Sequence, residues 1–253
     1  MTTPTPETTP LADLPGCWRD VTVALTGGID RLLLYGVPGT GKTFGGLHIG
    51  VSDDAPRSHR LVCTEDMTSA DVTGAWMPDA AGTFRWIDGA ATLAWIGDGT
   101  TGSRLVADEC DKASGDVLGL LLAMFDSDGS ATFDHPGTGE TIAPNPGFSV
   151  VMTSNVEDPD NLPDALRDRF PVAVCINAPH PDALALLPAD LRDAAARIVA
   201  CEDPGRRASL RAFFAFDRMR TNGVSVEDAG RLAFGDGLWR EMGDALRIAS
   251  VER

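Results

Sequence analysis

The sequence predicts an α/β fold, a five-stranded parallel sheet followed by a small C-terminal helical subdomain, and two features carry that prediction. Five short apolar runs, at 31–35, 60–64, 104–107, 148–153 and 171–176, are rich in Leu, Val and Ile without polar alternation, as expected of strands covered on both faces. Helical stretches, notably 42–49 and 115–125, alternate with them, and that alternation implies right-handed crossovers within one sheet. From Pro181 onward Ala, Leu and Arg dominate and no strand-like run occurs, so the core is expected over 16–180 and a helical subdomain over 181–253. The Thr/Pro-rich residues 1–15 read as a flexible tail.

Two connections need their own account. The segment 66–101 is long for a link between neighbouring strands. Its TLAWIG string predicts a short helix, and the whole reads as a helical insertion. Residues 130–146 hold two short β-like pieces, ATFDH and GETIA, around Pro136-Gly137 and Gly139. They predict a β-hairpin projecting from the sheet.

Composition narrows the function classes. The 253 residues are 43% hydrophobic and 23% charged, ordinary for a folded protein. Lys and Arg number 21 against 37 Asp and Glu, a net charge of −16. That charge repels phosphates and anionic membranes, arguing against a nucleic-acid partner and against a membrane-surface role. The 130–147 stretch contains His135 but no Lys or Arg, so it too lacks charge for binding phosphates. No apolar stretch approaches the ~20 residues of a membrane span, and the start lacks a basic, apolar leader. A cytoplasmic location is the expectation. The five cysteines are scattered with no C-x-x-C spacing, Cys63, Cys110 and Cys175 lie in or beside apolar runs, and the four histidines form no metal motif, so free buried thiols and no structural zinc are expected. The chain has only two lysines, Lys42 and Lys112.

The first chemical signal is Gly36-Val37-Pro38-Gly39-Thr40-Gly41-Lys42-Thr43, a G-x-x-x-x-G-K-[ST] string between an apolar strand and a helix start. Its glycines let backbone N–H groups curl around a phosphate. Lys42 would reach the β and γ phosphates, and the Thr43 hydroxyl would ligate Mg²⁺. The bland alternative, a chance Gly/Pro turn, is weakened by the flanking strand and helix. The second signal is Leu105-Val-Ala-Asp108-Glu109, an apolar strand ending in two acids. Asp108 suits the metal carboxylate, and Glu109 can polarise an attacking water. On its own such a pair is usually a solvated turn. A third strand ends in Thr153-Ser154-Asn155, where an amide could hold the water or contact the γ-phosphate, or simply close a turn. Finally, Arg167 and Arg169 project from a short helix bounded by Pro163 and Pro171. They either pair locally with Asp164 and Asp168 or reach a neighbouring subunit's nucleotide.

Taken as a set, these motifs resemble the AAA+ ATPases, specifically the MoxR-like branch with its CobS and NorQ/CbbQ relatives. Three further stretches share the resemblance: DMTSADVTG at 66–74, LLLAMFDSDGSATFD at 120–134 and PDALRDRF at 163–170. The resemblance implies a P-loop NTPase core in which 36–43 is Walker A and Asp108 and Glu109 are the Walker B acids. Asn155 matches sensor 1, and Arg169 an arginine finger acting in trans, with Arg167 as second candidate. Arg211, in Ser209-Leu210-Arg211, resembles the sensor 2 position in the lid. The regions 86–97 and 130–143 would be the helix-2 insert and pre-sensor hairpin. The implied function is an Mg²⁺-dependent ATPase that assembles as a homo-oligomeric, hexameric ring and remodels a protein client. The client would be of the von Willebrand factor A type, and the work could include inserting a cofactor or metal. A nucleotide-gated scaffold with little hydrolysis and a DNA-engaged motor stand as alternatives, and nothing in the sequence chooses ATP over GTP.

Overall fold

The computed structural model describes residues 9–51, 57–113, 115–127 and 129–251. In order it contains α1 (Gly16–Thr26), β1 (Arg31–Tyr35), α2 (Lys42–His48), β2 (His59–Val62), α3 (Ser69–Thr73), β3 (Gly74–Pro78), β4 (Phe84–Asp88), α4 (Ala90–Ile96), β5 (Arg104–Asp108) and α5 (Gly115–Met124). It continues with β6 (Phe133–Asp134), β7 (Thr141–Ile142), β8 (Ser149–Thr153), α6 (Asp164–Arg169), β9 (Val172–Cys175), α7 (Pro181–Ala185), α8 (Ala189–Val199), α9 (Leu210–Thr221) and α10 (Val226–Val251). The chain divides into two compact units. One comprises Asp20–Gly36 and Thr43–Cys175; the other takes the segment ending at Arg19, Val37–Lys42 and everything from Ile176 onward.

In the first unit the five apolar runs form one parallel sheet in the order β2-β5-β8-β1-β9. The central strands are apolar on both faces because both are covered. Leu32, Leu34, Leu105, Val106, Val150 and Val151 are fully buried. One side of the sheet packs Leu33, Leu105, Ala107, Val150 and Met152 against Trp95, Leu121, Met124 and Phe170. Chain order and spatial order diverge at β1, which sits between β8 and β9. Crevices at the carboxyl ends of strands beside such a switch are where open α/β sheets bind ligands. Arg104 of β5 is largely buried and donates to the carbonyls of Gly46 (3.1 Å) and Ile49 (2.5 Å). It thereby satisfies the open C-terminal end of α2.

The insertion departs from the helical reading of 66–101. Helices α3 and α4 are present, but between them β3 and β4 form an antiparallel hairpin. Trp76 lies opposite Trp86 across it, ring centroids 5.9 Å apart and edge to face. The Asp79 carboxylate accepts the backbone N–H of Ala81 (2.9 Å) and Thr83 (3.0 Å), which closes the turn. Aromatic cross-strand pairing and an Asp/Gly turn outweigh helix propensity here. The 130–146 hairpin forms as β6 and β7, two residues each. His135 beyond β6 hydrogen-bonds Asp88 at the end of β4 (2.9 Å).

The second unit is helical. Leu191, Ala194, Ala195 and Val199 make the buried face of α8, and Leu210, Phe213 and Phe216 that of α9, both with helical spacing. Arg220 of α9 fastens the two through Asp190 of α8 (2.6 Å) and is held in place by Asp217 of its own helix (3.0 Å). α10 breaks at Gly235, φ +79°, and Trp239 turns back onto Phe216 and Phe234. Residues 1–8 of the stretch read as a flexible tail lie outside the described residues. From Thr9 the reading is corrected: the Thr9 hydroxyl donates to Asp182 (2.7 Å), Leu11–Asp13 makes a 3-10 turn and Leu14 is buried. A buried leucine and a satisfied hydroxyl hold what Thr/Pro content alone would leave loose. The thiols are free in all five cysteines, and Cys17, Cys63 and Cys110 are buried. Cys175, expected buried, is exposed, because β9 is an edge strand.

Candidate active site

The phosphate loop leaves β1 at Tyr35 and enters α2 at Lys42. Gly36, Gly39 and Gly41 all take positive φ, +113°, +82° and +95°, conformations open to glycine and strained for other residues. Lys42 is largely buried, and its Nζ donates to the carbonyl of Val37 (2.8 Å), so the ammonium is held by its own loop. The Thr40 hydroxyl donates to the same carbonyl (3.2 Å). Against this loop lies the start of α9. Leu210 N–H donates to Gly39 O (3.2 Å), and a Cβ on Gly39 would come within 2.2 Å of Ser209 Cβ. Arg211, one residue on, stands exposed in the first turn of α9.

The acidic cluster forms where β5 and β8 end together. Asp108 and Thr153 are register partners, so their side chains share a face. Asp108 Oδ1 accepts the hydroxyls of Thr153 (2.8 Å) and Thr43 (2.7 Å). The loop's threonine and the strand's acid, 65 residues apart, are thus in direct contact. Asp108 Oδ2 accepts Nε of Arg60 (2.7 Å), and Arg60 Nη2 lies on the same oxygen. Glu109 is the one non-glycine residue with positive φ among the described residues, at φ +54°, ψ +40°. Backbone strain of this kind concentrates at functional positions, and it turns the Glu109 side chain out of the strand's alternation. One carboxylate oxygen accepts Asn155 Nδ2 (2.7 Å) and the other meets Lys112 Nζ. The bond to Glu109 raises the Lys112 ammonium pKa above its ordinary value.

The two arginines of α6 separate. Arg167 pairs with Asp164 and with Asp160 (2.5 Å), close to the local reading of its charge. Arg169 donates to Leu122 O (2.7 Å) and Asp126 (3.2 Å), at the end of α5. Among the described residues neither arginine is joined to Asp108 or Glu109. Sequence reading missed two participants. In the sequence Thr153 is only part of a strand end, and Arg60 only the start of a strand. Its signal was the period-2 pattern of β2, in which Arg60 and Val62 lie on the face opposite buried Leu61. Lys112, unassigned from sequence, is the partner of Glu109.

Residues 31–170 match the AAA domain (dynein-related subfamily). The chain belongs to this family. It is 32% identical over 95 residues to the protein CbbQ of Hydrogenophilus thermoluteolus, covering 38% of this chain and 33% of that one. It is 29% identical over 148 residues to an uncharacterized protein of Staphylococcus saprophyticus subsp. saprophyticus, covering 56% and 54%. The chain therefore spans a third to about half the length of these curated relatives. Among solved structures, NtrX from Brucella abortus aligns with a TM-score of 0.50 at 13% identity, over 96% of this chain and 69% of its own, a likeness of fold. The family match and the CbbQ likeness put the chain among the MoxR-like AAA+ ATPases. Among the described residues, no helix of this AAA protein is long and apolar enough to cross a membrane.

Proposed function

We propose that this chain binds Mg²⁺–ATP at the phosphate loop and hydrolyses it, as one subunit of a hexameric ring that remodels a client protein. The observation that carries the reading is the bond from Thr43 Oγ1 to Asp108 Oδ1. A hydroxyl and a carboxylate side by side are the hard oxygen donors that Mg²⁺ takes in phosphoryl-transfer sites. The loop fits the nucleotide as well: three positive-φ glycines leave its backbone open where a Cβ would crowd it. When bound, the magnesium–nucleotide complex supplies the electrophilic phosphoryl group and the charge neutralisation.

The chain's own residues then have distinct tasks. Lys42 would exchange the Val37 carbonyl for phosphate oxygens. Thr43 and Asp108 would hold the metal, with Thr153 fixing the rotamer of Asp108. Glu109 accepts a proton from the attacking water at a carboxylate oxygen, and Asn155 orients that carboxylate. Arg169 stabilises charge on a neighbouring subunit's nucleotide, with Arg167 as second candidate, and Arg211 approaches the nucleotide from the lid. The partner class carried over from the family resemblance is a protein of the von Willebrand factor A type. The scaffold reading has one observation in its favour, since both oxygens of Glu109 are engaged, by Asn155 and Lys112.

Phosphate release by Glu109→Gln decides between them. Hydrolysis predicts retained nucleotide binding and turnover reduced by about 10² or more; equal, merely stoichiometric release by wild type and variant would favour the scaffold. Mixing Arg169→Ala with Lys42→Ala subunits should restore part of the activity neither has alone, and no restoration would remove the finger in trans.

A further inference from the structure

The contact that neither the motifs nor the family explains is Arg60 on Asp108. We propose that Arg60 is a built-in counter-cation for the metal-binding acid, occupying it until Mg²⁺ arrives and thereby setting how much Mg²⁺ the protein requires. This inference rests on the Mg²⁺–nucleotide reading above.

Asp108 is the reason such a cation is needed. Its side chain is only 6% exposed, and an ionised carboxylate buried to that degree is costly unless paired and hydrogen-bonded. The two threonine hydroxyls satisfy Oδ1 but contribute no charge. Arg60 contributes the charge at Oδ2, through both Nε and Nη2. Register explains how it reaches: Arg60 pairs with Val106 and Val62 with Asp108, so the guanidinium leans along the strand by one period-2 step to the acid.

Arg60 is also placed to let go. It comes from the edge strand of the sheet, and its side chain is 47% exposed. A guanidinium released from Asp108 therefore returns to water, at little desolvation cost. A divalent ion at the Thr43–Asp108 corner repels a guanidinium held on the same carboxylate. Either Arg60 withdraws or the ion binds against a like charge, and in both cases Arg60 opposes the metal. Without metal it does the opposite, stabilising the acid that would otherwise stand buried and unpaired. One residue thus trades stability of the empty site against metal affinity.

The test is Arg60→Gln, which keeps a hydrogen-bonding side chain and removes the charge, with Arg60→Lys as the conservative variant. Arg57→Gln, an exposed arginine three residues earlier, is the control. The readout is binding of a fluorescent ADP analogue titrated with Mg²⁺, together with thermal melting in EDTA and in excess Mg²⁺. Arg60→Gln should reach half-saturation at Mg²⁺ concentrations between about threefold and about tenfold lower than wild type. It should also melt lower in EDTA, so that its gain on adding Mg²⁺ and nucleotide is the larger. Arg60→Lys should fall between, and Arg57→Gln should match wild type. A lower melting point in EDTA with unchanged or weakened Mg²⁺ dependence would overturn the proposal and leave an ordinary structural ion pair. Failure of the wild-type protein to bind the analogue at any Mg²⁺ concentration would instead remove the nucleotide reading itself.

Discussion

Replacing Gly39 with alanine tests how the phosphate loop and the start of α9 are joined. Gly39 has φ +82°, where a Cβ crowds the backbone at a cost of roughly 1–2 kcal/mol. The added methyl would sit 2.2 Å from Ser209 Cβ and 2.8 Å from Ser209 Cα, against a comfortable separation of about 3.5–4.0 Å between carbons. Neither atom is the far end of a flexible chain, so the beginning of α9 has to retreat by more than an ångström. That retreat breaks the 3.2 Å bond from Leu210 N–H to Gly39 O, worth about 1 kcal/mol. Strain and lost bond together predict a loss of about 2–3 kcal/mol in urea unfolding, with weakened nucleotide affinity. Adding Ser209→Gly removes the 2.2 Å clash but not the 2.8 Å one, so the double variant should recover only part of the loss. A Gly39→Ala protein within about 0.5 kcal/mol of wild type would refute the reasoning, because the clash and the strained φ cannot both be real and inexpensive.

Two further perturbations follow from the same structure. Lys112→Ala frees one oxygen of Glu109; basal phosphate release should rise about two- to threefold with nucleotide affinity unchanged, and a fall in turnover would show that Lys112 assists the reaction rather than restraining the base. Gly230→Ala places a Cβ 2.3 Å from the buried Trp239 ring, which should lower stability by about 1–3 kcal/mol in thermal denaturation; an unchanged melting curve would mean that α10 does not fold back at Gly235.

How much of this was legible in advance depends on how local each feature is. The phosphate loop was readable because its glycines, its lysine and its flanking strand and helix are consecutive, and each acts through its own φ/ψ. The ends of β5 and β8 were readable as polar tips on apolar runs. The β3–β4 hairpin was missed because Trp76 and Trp86 gain their stability from each other across ten residues, and period alone does not separate a short mixed run from a helix. The order of Thr9–Leu14 was missed for a similar reason, since its partner Asp182 lies 173 residues away.

The sequence alone determined the kind of protein this is, an α/β nucleotide-loop core with a helical companion, because apolar periodicity and glycine conformations are properties of short segments. It also named the acids, Asp108 and Glu109, as strand-end carboxylates. What only the tertiary structure decided is their company. Parallel register sets Thr153 beside Asp108 and brings Arg60 diagonally onto it from the edge strand, while the left-handed backbone at Glu109 turns its carboxylate to Asn155 and Lys112. Strand order is a global solution to burying two faces of a sheet, so no local pattern in β2 could show which acid its arginine would meet.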